Sequence, residues 1–196
     1  AGVAHELANP LTSMASNLLF VRERVDSAER ELFEPLDASL DRLDQMRQLL
    51  CTLSGFTRHK RPRYEAADLH EVIRRSLTFI SREAERRRVE LSVSLAPVLP
   101  ACELDVHLIH QVLLNLYKNA FEAMPEGGRL EVKTRWRAGE DDDFEAAIID
   151  IADTGIGIAE AELRKVFRPL YSTKPQGTGL GLSFCRQAVE EHGGAI

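Results

Sequence analysis

Hydrophobic positions recur along this chain in more than one rhythm. Over residues 5–25, Leu7, Leu11, Met14, Leu18, Val21 and Val25 fall at spacings of four and three, the seam of an amphipathic bundle helix. A second helical pattern occupies 34–57, with Leu36, Leu40, Leu43, Leu50 and Leu53, widened by Met46, Leu49 and Phe56. The connection between them, around Asp26-Ser-Ala-Glu-Arg-Glu, is short and polar, so the two helices are predicted to lie antiparallel. A two-helix hairpin cannot bury so wide an apolar face by itself. A second copy is expected to complete a four-helix bundle, which makes the protein a homodimer. His5, Asn9, Thr12 and Ser16 repeat at four, three and four on another face. His5 sits about 160° around the helix from Leu7, so it points away from the seam. Pro10 cannot donate to the carbonyl of Glu6, which predicts a bend or a loosened turn beside His5.

After the basic stretch Arg58-His-Lys-Arg-Pro-Arg63 the rhythm changes. That stretch reads as a linker dividing the chain into a helical hairpin, residues 1–60, and a mixed α/β domain, residues 61–196. Leu69–Glu85 is predicted helical, with Leu69, Val72, Ile73, Leu77 and Ile80 inward. Val89–Leu95 alternates with period two, as a strand does. Ala96–Ala101 is a proline-bounded loop. Val106–Met124 is a helix with Ile109, Val112, Leu113, Leu116 and Ala120 inward, and Arg129–Trp136 and Phe144–Ala152 are strands joined by the acidic loop Gly139-Glu-Asp-Asp-Asp143. At the end, Gly193-Gly194 closes a helix and Ala195-Ile196 opens an apolar run. A helix this apolar needs a sheet to cover, so a truncated chain is expected.

Two glycine-rich turns frame the last third. The first, Asp153-Thr-Gly155-Ile-Gly157-Ile, follows an apolar strand-length run, and its carboxylate suits the amino group of a purine. The second, Gly177-Thr-Gly179-Leu-Gly181-Leu, leads into an apolar-periodic run with Leu180, Leu182, Phe184 and Val189. It is predicted to feed a helix N-terminus, where free N–H groups and the dipole favour phosphate. One turn would grip a base and the other the phosphates. A lone G-x-G is ordinarily only a turn, and neither the P-loop spacing nor the dinucleotide-fold spacing occurs here.

Composition narrows the classes. With 196 residues, 44% of them hydrophobic, the chain can hold one large or two small domains with a real core. A net charge of -6 argues against a dedicated nucleic-acid binder. Arg86-Arg-Arg88 reads as a solvated helix end. Cys51, Cys102 and Cys185 are scattered and odd in number, which suits reduced, structural thiols of a cytosolic chain. No apolar run approaches the roughly 20 residues of a membrane-spanning helix, and no signal peptide is visible.

Five stretches in order carry a resemblance. Val3-Ala-His5-Glu6-Leu-Ala-Asn9-Pro10-Leu11 resembles the H-box of sensor histidine kinases of two-component systems. Gln111-Val-Leu-Leu-Asn115-Leu-Tyr-Lys118-Asn119-Ala-Phe-Glu122-Ala-Met124 is similar to their N-box. Asp153-Thr-Gly155-Ile-Gly157 is similar to the first glycine box, Phe167-Arg-Pro-Leu-Tyr to the F-box, and Gly177-Thr-Gly179-Leu-Gly181-Leu to the second glycine box. The lid sequence Thr173-Lys-Pro-Gln-Gly-Thr-Gly-Leu-Gly is most similar to the nitrogen-regulation-like branch. The resemblance implies an α-helical hairpin forming a dimeric four-helix bundle, followed by an α/β sandwich of the Bergerat or GHKL type shared with gyrase, the Hsp90 chaperones and MutL. It also implies further C-terminal strands and an earlier start to the first helix, so truncation is expected at both ends.

Site roles follow from the same resemblance. His5 is the implied phosphoacceptor, with Glu6 bonding its ring and taking up a proton; zinc binding through H-E-x-x-H is excluded because position 9 is asparagine. Asn9 fits the family pattern tied to dephosphorylating the partner, against the plainer reading that it only holds the helix face. Asn115 and Asn119 share a helix face, with Asn119 the implied Mg²⁺ ligand and Lys118 near the phosphates, while Glu122 is expected at the surface. Asp153 is implied to read adenine, with Gly155 and Gly157 allowing backbone to approach the ring. Lys174 is implied to contact the γ-phosphate, and Gly177, Thr178, Gly179, Leu180 and Gly181 to line the ATP phosphates. The lid, about 168–178, is expected to move without nucleotide. The implied function is an ATP-dependent protein-histidine kinase passing its phosphoryl group to the receiver domain of a response regulator, in the cytoplasm, alone or as the cytoplasmic part of a larger sensor. The alternatives are a GHKL-superfamily ATPase, a serine-directed kinase relative, or a non-catalytic dimerisation module.

Overall fold

The computed structural model describes residues 62–138, 145–174 and 177–196, together with Met14, Leu18, Ser39 and Leu43. The chain divides into two compact units, one of Pro62–Tyr171 with Gly181–Ile196, the other of Ala1–Arg61 with Ser172–Leu180. In the second unit Met14, Leu18, Ser39 and Leu43 are each helical and line one shared hollow. The rest of the expected hairpin, including His5, Glu6 and Asn9, lies outside the described residues, as do the acidic loop at 139–144 and Cys51.

The first unit runs β1 (Glu65–Ala67), α1 (Leu69–Arg86), β2 (Val89–Ser94), β3 (Cys102–Leu104), α2 (Val106–Ala123), β4 (Gly128–Arg137), β5 (Ala146–Asp153), α3 (Glu160–Leu163) and α4 (Gly181–Glu191). β4 is the centre of a three-stranded sheet, parallel to β2 and antiparallel to β5. Leu130, Val132 and Thr134 alternate inward along β4, the period-two pattern of a strand with one face on a core. Against them pack Leu69, Val72, Ile73, Leu77 and Ile80 of α1 and Leu113, Tyr117, Ala120 and Phe121 of α2. This is the expected α/β sandwich, and the α1 stripe is the one its 3.6-residue period predicts. Thr134 is the polar member of the buried row. It stays there because its Oγ1 accepts from the Ala96 N–H at 2.9 Å and lies 2.9 Å from His70 Nε2, so the Thr134 hydroxyl is not stranded.

Each long helix starts at an aspartate. Asp68 accepts from the His70 and Glu71 amides, and Asp105 from those of His107 and Leu108, satisfying donors that the first turn cannot pair internally. Burial pushes the Asp105 carboxyl up, but the backbone donors of Arg63, Leu108 and His107 outweigh it and leave it below the usual carboxylate range.

The structure departs from the sequence expectations in three places. β1 and β3 pair as a separate two-stranded antiparallel sheet that the pattern did not predict. On α2, Ile109 and Leu116 do pack inward, though half-buried, but the fully enclosed Tyr117 and Phe121 were not foreseen. On α4 the buried side chains are Cys185 and Ala188 rather than Leu182, Phe184 and Val189. These two small residues let α4 lie against Val112 of α2. Burial pushes the Cys185 thiol up to about 12, consistent with a structural role. Among the described residues no helix is long and apolar enough to cross a membrane.

The Tyr117 hydroxyl is buried with no partner in hydrogen-bonding geometry among the described residues; the neighbouring Ser76 Oγ donates to Ile73 O instead. Desolvating an unpaired hydroxyl is unfavourable, so Tyr117→Phe is expected to leave urea stability unchanged or raise it by up to about 1 kcal/mol. A loss of more than that would show that the hydroxyl is bonded in solution.

Candidate functional site

The site is organised by α2. Its inner stripe enters the core, and a second row, Val112, Asn115 and Asn119, runs one and two turns apart along another side. Val112 meets α4, and Asn115 and Asn119 are half-buried. A Cβ added at Gly181, the first residue of α4, would lie 3.6 Å from Asn115 Oδ1. The structure therefore brings the side chain of Asn115 onto the backbone at the start of α4, a juxtaposition that no sequence spacing specifies. Asn119 lies on the same side one turn further along. Lys118 and Glu122 are exposed.

The C-terminal end of α2 holds the first glycine turn. Ile156 N donates to Ala123 O at 3.1 Å, and a Cβ on Gly155 would stand 2.5 Å from that same oxygen and 2.7 Å from Ala123 Cβ. Contact with α2 alone therefore leaves no room for a side chain at Gly155. Gly157 has open space around it and φ +69°, so its requirement is conformational. Asp153 is the last residue of β5. Its Oδ1 accepts from Gly155 N at 2.9 Å, folding the turn back on the strand end. Thr154, which the sequence reasoning passed over, ties the other side. Its amide donates to Arg129 O, and its Oγ1 accepts from Arg129 N at 3.0 Å and donates to Met124 Sδ at 3.7 Å. Ile156 and Ile158 project outward, 85% and 53% exposed. They leave an apolar flank beside a carboxylate.

The F-box forms a tight turn. Tyr171 N donates to Arg168 O across Pro169 and Leu170, and Leu170 takes φ +63°, the position of such a turn that glycine normally fills. Just before it, the Phe167 ring lies under the Arg186 guanidinium of α4, 4.5 Å from ring centroid to cation.

The lid residues form their own arrangement in the other unit. Gly177 N donates to Lys174 O at 3.1 Å, and Ser172 Oγ accepts from Lys174 N and reaches Lys174 O. A Cβ on Gly177 would fall 2.1 Å from Ser172 Oγ. Gly179 takes φ +66°. Lys174 is exposed, Thr178 half-buried and Leu180 buried; Pro175 and Gln176 lie outside the described residues.

These contacts separate the two glycines of the first turn. Gly155→Ala must move backbone and is expected to cost about 2–3 kcal/mol. Gly157→Ala meets only left-handed strain, about 1 kcal/mol. Urea unfolding of the two variants measures the difference; equal losses would mean that the turn does not rest on α2 as described.

The chain is similar to known proteins in sequence and fold. The family described as histidine kinase-, DNA gyrase B- and HSP90-like ATPase matches residues 104–196. Sensor histidine kinase ZraS of Klebsiella oxytoca is 35% identical over 196 residues, which is 100% of this chain and 41% of that protein. The chain therefore spans about two fifths of the length of such curated relatives. The solved structure of the mycobacterial sensor histidine kinase MprB matches with a TM-score of 0.57 and 31% identity, over 66% of this chain and 80% of that one. The complex of histidine kinase ThkA with the response regulator protein TrrA shares the fold, with a TM-score of 0.63 and 23% identity over 98% of this chain and 54% of that one. By its boxes, by the elements that carry them and by these likenesses, the chain belongs to the sensor histidine kinases of two-component systems.

Proposed function

We propose that the chain is the catalytic core of an ATP-dependent protein-histidine kinase, which phosphorylates His5 and passes the phosphoryl group to an aspartate on the receiver domain of a response regulator. Residues 1–60 would be the dimerisation and phosphotransfer hairpin, paired with a second copy, and residues 61–196 the ATP-binding domain, in the cytoplasm alone or within a larger sensor. The observation that carries this reading is the double use of α2. One end seats the turn that bears Asp153, and its Asn115 faces the first residue of α4, so one rigid element spans the distance from base to phosphates.

Asp153 has committed Oδ1 to Gly155 and reads the adenine amino group through its other oxygen, flanked by Ile156 and Ile158. The amides of Gly177, Thr178, Gly179, Leu180 and Gly181 cradle the phosphates, helped by the dipole of α4. Lys174 and Lys118 add positive charge. The half-buried amide oxygens of Asn115 and Asn119 suit a hard divalent cation, which takes oxygen ligands. Asn119 would hold Mg²⁺, and the ion would supply charge neutralisation at the phosphates. In the transfer, an unprotonated nitrogen of His5 forms a bond to the γ-phosphorus as the bond to the β–γ bridging oxygen breaks, with ADP taking the electron pair. Glu6 accepts the ring proton. The roles of His5, Glu6 and Asn9 rest on the H-box resemblance. The ThkA–TrrA complex supports the partner class.

Incubation with γ-labelled ATP and Mg²⁺ tests the reading. Acid-labile, alkali-stable label is expected on the chain, and none on His5→Gln with nucleotide affinity unchanged. Equal label on both would move the acceptor elsewhere, and alkali-labile label would favour a serine-directed relative. Asn9 is further proposed to orient a water that dephosphorylates the partner. Asn9→Ala is then expected to slow decay of the phosphorylated regulator about tenfold or more in the presence of this chain, the size of a lost positioning contact. Unchanged decay would reduce Asn9 to a helix-face residue.

A further inference from the structure

The end of α4 remote from the phosphate cradle is held by a cluster that the function above does not use. Tyr64 directly follows the basic stretch 58–63. Its hydroxyl donates to Glu191 O, the last carbonyl of α4, at 2.6 Å. Its ring meets the ring of His192 edge-on, 5.3 Å between centroids at 84°, a favoured arrangement for aromatic pairs. His192 is in turn fixed through both nitrogens. Nδ1 lies 2.6 Å from Ala188 O; a carbonyl can only accept, so Nδ1 carries the proton. Nε2 is then the acceptor, and it receives the Asp105 N–H at 2.9 Å. The Asp105 carboxylate closes the circuit by accepting from Arg63 N at 2.9 Å. Two residues leaving the basic stretch, the start of α2 and the end of α4 are therefore tied at one point.

We infer that Tyr64 and His192 are positioning residues: they bind the exit of the interdomain linker to the far end of α4, so that the linker exit and the start of α4 at Gly181 move as one piece. This rests on the proposed kinase reading for its consequence and on the contacts alone for its mechanism. α4 is three turns long and starts at Gly181, against which Asn115 is set. A helix is stiff over that length, so restraint at Glu191 and His192 is felt as orientation at Gly181. Freed from Tyr64, the domain would still bind nucleotide but would present the γ-phosphate less accurately. Coupling of this kind is reciprocal: nucleotide bound at the start of α4 must tighten the linker exit.

Two readouts on the whole chain test it, with Mg²⁺-ADP as the probe. In the parent, ADP is expected to slow hydrogen exchange of the Tyr64 and Glu65–Ala67 amides about three- to tenfold, the range of a modest coupling between sites. His192→Ala is expected to abolish that effect while ADP still binds. Tyr64→Phe, which keeps the ring contact and loses only the hydroxyl, should fall between. In the labelling reaction, Tyr64→Ala and His192→Ala should lower the rate at saturating ATP by about the same three- to tenfold with KM changed less than twofold, and Tyr64→Phe should recover part of it. ADP protection of 64–67 that persists in His192→Ala would overturn the inference, as would a raised KM with the saturating rate unchanged. A parent that binds ADP without becoming labelled would sink the kinase reading and leave the exchange experiment to decide the clasp. Absence of ADP binding would overturn both.

Discussion

The contact on which the rest of the nucleotide domain depends is the seating of a strand-end turn on the last carbonyl of a helix. Ala123 O would otherwise be one of the unpaired acceptors at the C-terminus of α2. It receives Ile156 N, and the turn comes so close that only a residue without Cβ fits at 155. Thr154 secures the same turn to the first residues of β4 and to Met124. The end of β5, the end of α2 and the start of β4 are thereby fixed together by backbone groups. Asp153 inherits a defined position from that junction although it is itself exposed. A shift of α2 would carry Asp153 and Asn115 together.

How legible this was in the sequence differs by element. The α1 stripe and the alternation of β4 were plain, because each buries one face against one neighbour and shows the simple period of its type. α2 was harder, because it is buried on two sides. Its inner row holds Tyr117, which a polar hydroxyl disguises, and its second row holds two half-buried asparagines. α4 misled because its large apolar residues are not its buried ones. Helix-to-helix approach at Val112 leaves room only for Cys185 and Ala188, and packing of that kind leaves no signature in hydrophobicity. β1 and β3 escaped because three residues, Glu65-Ala-Ala67 in the first case, carry too little alternation to read as a strand. The boxes were legible as residue types, but their assembly was not. That Asn115 faces Gly181 is a fact of helix packing, and that Gly155 is pressed against α2 while Gly157 stands in open space with φ +69° cannot be told from two identical letters.

Residue chemistry at the site follows a division of labour between backbone and side chain. Ile156 contributes its amide to the fold and leaves its side chain in solvent, and Asp153 spends one oxygen on the turn and keeps the carboxylate at the surface. The exposed side chains of Ile156 and Ile158 bury nothing in the domain itself. Natural sequences break local rules mainly where function requires it, and in the proposed function the adenine ring is what would cover these side chains.

The same reasoning extends to the two ends of α4. A helix leaves its first amides and last carbonyls without partners inside the helix, and the chain treats the two ends of α4 differently. At the start, glycine leaves the backbone bare beside Asn115. At the end, Glu191 O is capped by a tyrosine hydroxyl from a distant part of the sequence, and Ala188 O by the ring of His192. Water would satisfy those carbonyls equally well in energy, since a net hydrogen bond is worth only about 1 kcal/mol. Capping by Tyr64 and His192 therefore gains little stability that solvent would not supply. What it fixes is direction, because a helix held at one end by the Tyr64 side chain from the linker exit cannot tilt without moving that exit. In a protein whose proposed chemistry depends on carrying a phosphate to a histidine on another unit, direction is the quantity worth constraining.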